Sequence, residues 1–247
     1  MPNAFICDHE ILTSNDDGLA TSPRRLLAVH TFEGRDLDAV AMARFQQQLS
    51  AGGSYHMVID ADGVTAREND DAYIPWAAMF TGNRAAFHFS LAGRASMSRE
   101  EWLARPKQLD TLARVLAAYS TAYGIPLIKR DGKGVARGEW GVCGHADISA
   151  AWRESDHTDP GAKFPYDYVL KLANEYQQTG KNREDTDMSD KRKSLVHGSS
   201  FTADQFGYVL QLDRKVEEIH ADILPRLETK LDDIKALVLE AIHGQES

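Results

Sequence analysis

Two short segments of the chain concentrate residue types that bind metals and move protons. The first is Gly144-His145-Ala146-Asp147-Ile148, and the second runs from Ser155 through His157 and Asp159 to Gly161. Histidine is the commonest protein ligand of metal ions and the usual acid or base near neutral pH. Glycine and proline in these segments favour irregular backbone, where a rigid scaffold often holds ligands and catalytic groups. The pattern therefore indicates a metal site, an acid–base site, or both.

A catalytic zinc site needs three protein ligands and one position left for water. His145 and Asp159 can supply two ligands, and Pro160 restricts the backbone of the aspartate that precedes it. The third ligand must come from a distant segment. His30 is the leading candidate because it lies near the end of the apolar run 26–31 and precedes a small polar residue. On spacing alone, three competing ligands remain open, namely His56, His88 and Cys143.

The segments that must position these residues alternate between strand and helix patterns. Strand-like runs are found at 26–31, 55–59, 85–91 and 140–143. The last of them delivers His145 into a loop. Helical spacing or capping patterns predict helices within 36–49, from 98 to a break at Pro106, over 106–123 and over 165–176. Strands interleaved with helices favour an α/β domain.

Composition limits the classes to which the protein can belong. Its 247 residues are 43% hydrophobic and 26% charged, which is typical of a globular protein in water. The net charge of −9 disfavours a nucleic-acid partner. No run approaches the roughly 18 consecutive apolar residues of a membrane span, and the N-terminus lacks a signal-peptide pattern. Two cysteines do not make a disulfide framework, which favours a reducing cytoplasm.

The last part of the chain has a different pattern. Residues 177–200 are polar with charges of both signs, which predicts a flexible linker. A capping pattern at Phe201 predicts the start of a helix, and apolar residues then recur at three- and four-residue steps. We expect 201–247 to be a helical, coiled-coil element that forms a homo-oligomer; the alternative is a helix docked on the first domain.

Three pieces of the sequence together resemble the zinc-dependent N-acetylmuramoyl-L-alanine amidases, the type 2 amidase family related to peptidoglycan recognition proteins. The pieces are Val29-His30-Thr31, the run 55–63, and the pair of runs 144–148 and 158–161. They occur in the family's order over roughly residues 24–175. The chain is most similar to the amidase modules of phage endolysins. The resemblance implies a central mixed β-sheet flanked by helices, with one zinc ion in a surface groove.

The resemblance also implies a role for each site residue. His30, His145 and Asp159 match the family's three zinc ligands. Tyr55 matches a position that holds a catalytic tyrosine in many members. His157 lies where many members carry lysine, and we expect it to stabilise the oxyanion or to protonate the leaving amine.

Two further residues near these motifs have weaker assignments. Asp147 is expected to hold a ligand histidine in position without binding the metal itself. His88 alternates with Phe87 and Phe89 along a strand pattern, which places it on the opposite face of the sheet from those two phenylalanines. We interpret His88 mainly as a structural residue.

The implied reaction is hydrolysis of the amide bond between N-acetylmuramic acid and L-alanine in bacterial peptidoglycan. We expect a catalytic domain over 1–176, the linker over 177–200, and a helical element over 201–247 that oligomerises or binds the cell wall. The alternative function is a muropeptide recognition module of the same fold without catalysis. Loss of a metal ligand would mark that case, and all three ligand positions are filled here. The missing signal-peptide pattern fits an endolysin held in the host cytoplasm until its release.

Overall fold

The computed structural model describes residues 3–34 and 37–179, together with the backbone of two short strands at 192–193 and 202–203. The chain divides into two units, residues 1–185 and 186–247. Most of the predicted linker and of the predicted helical element therefore lies outside the described residues. Residues 177–179 belong to the last helix of the first unit.

In the second unit, β9 (Arg192–Lys193) pairs antiparallel with β10 (Thr202–Ala203). The sequence pattern predicts a helix at the latter position. Pairing with β9 gives the backbone here hydrogen-bond partners, whereas the first N–H groups of a helix have no partner within the helix.

A six-stranded mixed sheet forms the centre of the first unit. Its strands are β1 (His9–Glu10), β3 (Leu26–Thr31), β4 (Met57–Ile59), β5 (Thr65–Arg67), β7 (Ala86–Leu91) and β8 (Gly141–Gly144). Their order is β1-β5-β4-β7-β3-β8; β4 and β5 pair antiparallel and the other neighbours pair parallel. A separate antiparallel pair consists of β2 (Asp16–Leu19) and β6 (Tyr73–Pro75). The expected mixed sheet is confirmed.

Seven helices accompany the strands in the described part of the first unit. They are α1 (Ala39–Gln46), α2 (Met79–Ala85), α3 (Arg99–Leu103), α4 (Pro106–Tyr123), α5 (Gly132–Ala136), α6 (His145–Trp152) and α7 (Tyr166–Thr179), with a 3₁₀ turn at Leu49–Ala51. The predicted capping box of α3 is present between Ser98 and Glu101, and Pro106 begins α4 as expected. Among the described residues, no helix combines the length and the apolar character needed to cross a bilayer.

The elements that the sequence patterns did not predict are short. They include β5, β6, α2 and α5, which span three to seven residues each. A segment of that length contains at most about two helical turns or two strand repeats, so its periodicity is weak. Tertiary packing therefore decides these elements.

Alternation along the strands assigns the two faces of the sheet to different helices. In β3, Leu27 and Val29 belong to the main apolar core with α4 and α7. Leu26 and Ala28 pack on the other face, towards α2 and α6. Because side chains alternate with a period of two, His30 lies on this second face, beside the start of α6. The fold thereby separates the large core from the face that carries the candidate site.

Candidate metal centre and active site

The three predicted ligands converge at the carboxyl ends of two neighbouring parallel strands. His30 is the second-last residue of β3, and His145 directly follows the adjacent strand β8. Asp159 lies in the loop after α6, with its carboxylate oxygens 3.2 Å from His30 Nδ1 and 3.3 Å from His145 Nδ1. One ligand atom from each residue lies within 4.8 Å of the other two. Tetrahedral zinc ligands about 2.1 Å from the ion are roughly 3.4 Å apart, so the geometry suits one metal ion.

His145 begins a helix, and the expectation that it lies in a loop is wrong. Gly144 precedes the first turn of α6, and its N–H donates to the Asp147 carboxylate at 2.8 Å. That carboxylate also accepts from Lys129 Nζ at 2.6 Å. Among the described residues, no hydrogen bond joins Asp147 to a histidine ring. Its carboxylate therefore stabilises the backbone turn that begins α6 at His145.

Gly144 allows the loop that carries Asp159 to approach α6 closely. A Cβ at this position would lie 2.7 Å from Tyr166 Oη, 2.8 Å from Pro160 Cδ and 3.1 Å from the Asp159 carbonyl oxygen. The same carbonyl accepts a hydrogen bond from the Ala146 N–H at 3.0 Å, which ties the loop to the helix. Because Gly144 has no side chain, the loop can pack this closely, and this packing sets the distance between His145 and Asp159.

Burial and charge favour the protonation states that a metal requires at His30 and Asp159. All three are buried, and burial lowers the pKa of His30, which favours the neutral ring. Burial alone would raise the pKa of Asp159, but the adjacent His145 and His30 rings hold it below its ordinary value. The Oδ1 atom of Asp159 is also buried without a hydrogen-bond partner among the described residues. A neutral His30 ring beside an ionised Asp159 carboxylate fits a bound cation.

Each candidate histidine ligand also makes a hydrogen-bond contact through its second ring nitrogen, Nε2. His145 Nε2 lies 3.1 Å from Ser155 Oγ, which lies 2.7 Å from Ser149 Oγ. His30 Nε2 lies 3.0 Å from His88 Nδ1. Such contacts orient ligand rings and select their tautomers. Ser155 begins the second reactive segment of the sequence, but the spacing of Ser149 and Ser155 from His145 does not assign either serine to its ring.

The competing ligands lie outside the converging group. Cys143 is buried in β8 and packs in the apolar cluster of Leu26 and Ala28, and burial raises the pKa of its thiol. His56 Nδ1 accepts the backbone N–H of His88 at 3.0 Å. His88 contacts a candidate ligand instead of belonging to the group whose ligand atoms converge.

Tyr55 and His157 border the same site. The Tyr55 ring is centred 5.1 Å from the His30 ring. Burial raises the pKa of Tyr55, and Asp159 raises it further, so the phenol remains a hydrogen-bond donor at neutral pH. The His157 ring stacks on His145 with centroids 4.4 Å apart, while 59% of its side chain stays exposed. Both residues can therefore reach a substrate bound next to the metal site.

A groove of about 570 Å³ extends from His145, His157 and Tyr55. Five large apolar side chains also line it, namely Phe32, Phe45, Trp76, Met79 and Phe80. A volume of this size can hold a ligand of several hundred daltons. Chemically, the arrangement can hold a metal-activated water beside a bound amide, with two side-chain donors nearby.

Comparisons with known proteins agree with this fold. Residues 20–162 match the family described as N-acetylmuramoyl-L-alanine amidase. The hydrolase AmiA of Staphylococcus aureus, solved in complex with its ligand, is 18% identical over 70% of this chain and 85% of that chain, with a TM-score of 0.56. A selenomethionine derivative of AmpD is 19% identical over 70% of this chain and 98% of that chain, with a TM-score of 0.51.

A mutant form of PlyL is 14% identical over 67% of this chain and 97% of that chain, with a TM-score of 0.50. At these identities the structures show a shared fold. No curated protein matches the chain. Because the family match spans more than half of its residues, the chain belongs to the N-acetylmuramoyl-L-alanine amidase family.

Proposed function

We propose that the chain hydrolyses the amide bond between the lactyl group of N-acetylmuramic acid and L-alanine, with one zinc ion held by His30, His145 and Asp159. Membership of the amidase family supports amidase activity on peptidoglycan. The observation that carries the zinc assignment is the convergence of three buried ligand groups, one of which, His145, lines the groove.

The residues of the chain prepare this site before any substrate arrives. Zinc bound there would lower the pKa of water to about 7 and polarise the scissile carbonyl. His30 and His145 present their Nδ1 atoms to the centre, and Asp159 contributes a negative charge that is buried.

Two side chains are placed to act on the reacting amide. His157 lies over His145 with its ring accessible, so it can donate to the developing oxyanion or protonate the leaving amine. Tyr55 keeps its proton because burial raises its pKa, and its hydroxyl can orient the attacking water. Removal of one oxyanion donor typically lowers the rate by ~10²–10³.

The reaction is tested by digestion of purified peptidoglycan with the purified protein. Mass spectrometry should find new L-alanine amino termini. New reducing sugar ends would mean that the protein is a glycosidase, and binding to peptidoglycan without cleavage would favour the recognition module.

The metal assignment is tested by atomic emission on the same preparations. We expect stoichiometric zinc in the unaltered protein, and loss of both zinc and activity in His30→Ala and Asp159→Ala. His9→Ala is the matched control, because His9 is exposed on the edge strand β1. Full zinc content in His30→Ala would contradict the assignment.

We further propose that the protein acts in host lysis as an endolysin, held in the host cytoplasm until release. The likeness of its motifs to those of phage endolysin amidases supports this role. Expression in the host cytoplasm should lyse cells when a pore-forming protein is supplied and leave them intact without it. Lysis that does not depend on the pore would contradict the release step.

The proposed role of residues 201–247 is self-association or cell-wall binding, which the recurring apolar spacing supports. Sedimentation of the full chain and of a chain ending at residue 179 separates the two. An oligomer only in the full chain would support self-association. Cell pull-down that needs 201–247 would support wall binding.

A further inference from the structure

Behind the candidate metal centre, hydrogen bonds connect His30 through a second histidine to the backbone. His30 Nε2 lies 3.0 Å from His88 Nδ1, and His88 Nε2 lies 3.1 Å from the carbonyl oxygen of Gly82. Both histidines are completely buried. In the parallel pair of β3 and β7, His30 is opposite Ser90, and His88 lies two residues earlier on the same face. The register of the sheet therefore brings the two rings together.

The Gly82 carbonyl determines the direction of these hydrogen bonds. A carbonyl oxygen only accepts, so the proton on that side belongs to His88 Nε2. His88 is completely buried and its two ring nitrogens face only His30 Nε2 and the Gly82 carbonyl, so a ring whose single proton lies on Nε2 leaves Nδ1 as an acceptor. His30 must then donate from Nε2. With a cation bound between His30 Nδ1 and Asp159 Oδ2, which lie 3.2 Å apart here, Nδ1 then offers its lone pair to the metal.

We propose that His88 is a positioning residue that holds His30 in the Nε2-protonated tautomer, with Nδ1 directed at the metal. This inference rests on the proposed zinc site. A metal-binding histidine commonly gives its other N–H to a carboxylate, a backbone carbonyl or water. In this chain a neutral imidazole takes that role, and Gly82 of α2 anchors it in turn.

His56 provides a matched comparison for His88. It is equally buried, and its ring lies parallel to the His88 ring with centroids 6.0 Å apart. Its Nδ1 atom accepts the backbone N–H of His88, and no hydrogen bond joins it to His30 among the described residues. Replacement of His56 therefore disturbs the same core without removing the acceptor for the ligand.

The first test is zinc affinity, measured by equilibrium competition with a chelator on the full chain. His88→Leu removes the acceptor, and we expect affinity to fall about 10- to 100-fold. His88→Asn keeps an acceptor near the Nδ1 position, so its affinity should stay within about threefold of the unaltered protein, as should that of His56→Leu. Circular dichroism confirms folding of each variant. The proposal would be overturned if His88→Leu bound zinc as tightly as the unaltered protein. It would also be overturned if His56→Leu lost as much zinc affinity as His88→Leu.

The second test does not depend on the folding of any variant. Nitrogen-15 NMR of the zinc-loaded, unaltered chain distinguishes protonated from unprotonated ring nitrogens. We expect protons on Nε2 of both His30 and His88 and a bare Nδ1 on His88; a proton on His88 Nδ1 would overturn the inference.

These measurements also separate this inference from the proposed function. If His88→Leu binds zinc weakly but the unaltered protein releases no L-alanine amino termini, the proposed reaction fails and the role of His88 stands. If peptidoglycan is cleaved and His88→Leu binds zinc normally, the role of His88 fails alone.

Discussion

Gly144→Ala tests the idea that close packing between α6 and the Asp159 loop sets the geometry of the candidate metal centre. The new Cβ would lie 2.7 Å from Tyr166 Oη and 2.8 Å from Pro160 Cδ. Since ordinary contacts begin near 3.4 Å, Pro160 and its loop must move away from α6 by roughly 0.6 Å. Asp159 and His145 lie on opposite sides of this contact, so their separation should increase.

The size of the effect follows from the tolerance of metal coordination. Ligand distances in real sites vary by only about ±0.2 Å, which is well below the required movement. Overpacking a closed site costs about 1–3 kcal/mol, and each 1.4 kcal/mol is a factor of ten in affinity. We therefore expect zinc affinity to fall about 10- to 100-fold and the free energy of unfolding to fall by about 1–3 kcal/mol.

Chelator competition measures the affinity, and urea denaturation measures the free energy of unfolding. Gly34→Ala is the matched control, because a Cβ there would meet its nearest atom at an ordinary 3.5 Å. Tyr166→Phe removes the closest clashing atom, an Oη that is buried without a hydrogen-bond partner among the described residues. The double variant Gly144→Ala/Tyr166→Phe should recover part of the lost affinity. Unchanged zinc affinity in Gly144→Ala would refute the reasoning.

Three further predictions concern catalysis and stability. Tyr55→Phe should lower the rate of peptidoglycan cleavage by ~10²-fold at unchanged zinc content, measured by product release and atomic emission; normal cleavage would contradict a catalytic role. Asp71→Asn should lower the free energy of unfolding in urea by about 3–5 kcal/mol, because Arg67 is 1% exposed and lies 3.1 Å from the Asp71 carboxylate. An unchanged urea midpoint in Asp71→Asn would refute this account of the buried ion pair. Burial lowers the pKa of His56 well below its ordinary value, so below about pH 6.5 the unfolded chain binds more protons than the folded one and stability falls. Urea denaturation between pH 7.5 and 5.5 measures how the free energy of unfolding falls with pH. In His56→Leu this fall should be smaller than in the unaltered protein, by up to about 1.4 kcal/mol per pH unit. Equal pH dependence in the two proteins would contradict the prediction.

Much of the central architecture could be predicted from local patterns. The apolar run at 26–31 is observed as β3 with those bounds, and α4 spans 106–123 as predicted. Both elements have strong signals, namely consecutive apolar residues in a buried parallel strand and a proline at the start of an amphipathic helix. Residue chemistry left other ligands open, and the resemblance to the amidase family singled out His30, His145 and Asp159, which the structure brings together.

The surroundings of these residues could not be predicted from the sequence. The contact between His30 and His88 joins residues 58 positions apart and depends on the register of β3 against β7. Asp147 is close to His145 in the sequence, yet its carboxylate bonds to the backbone of Gly144 and to Lys129. A side chain's hydrogen-bond partner depends on which groups share its buried space, and spacing along the chain does not specify them.

The sequence by itself determined which residue types are available for metal chemistry and which strands and helices are strong enough to form from local pattern. Only the tertiary structure decided the rest: that His145 begins α6, that His88 lies behind His30, and that Gly144 sets the distance to the Asp159 loop. Local pattern acts through periodicity and capping, which operate over a few residues. Ligand geometry depends on distances between distant segments, and close packing of the whole domain sets those distances.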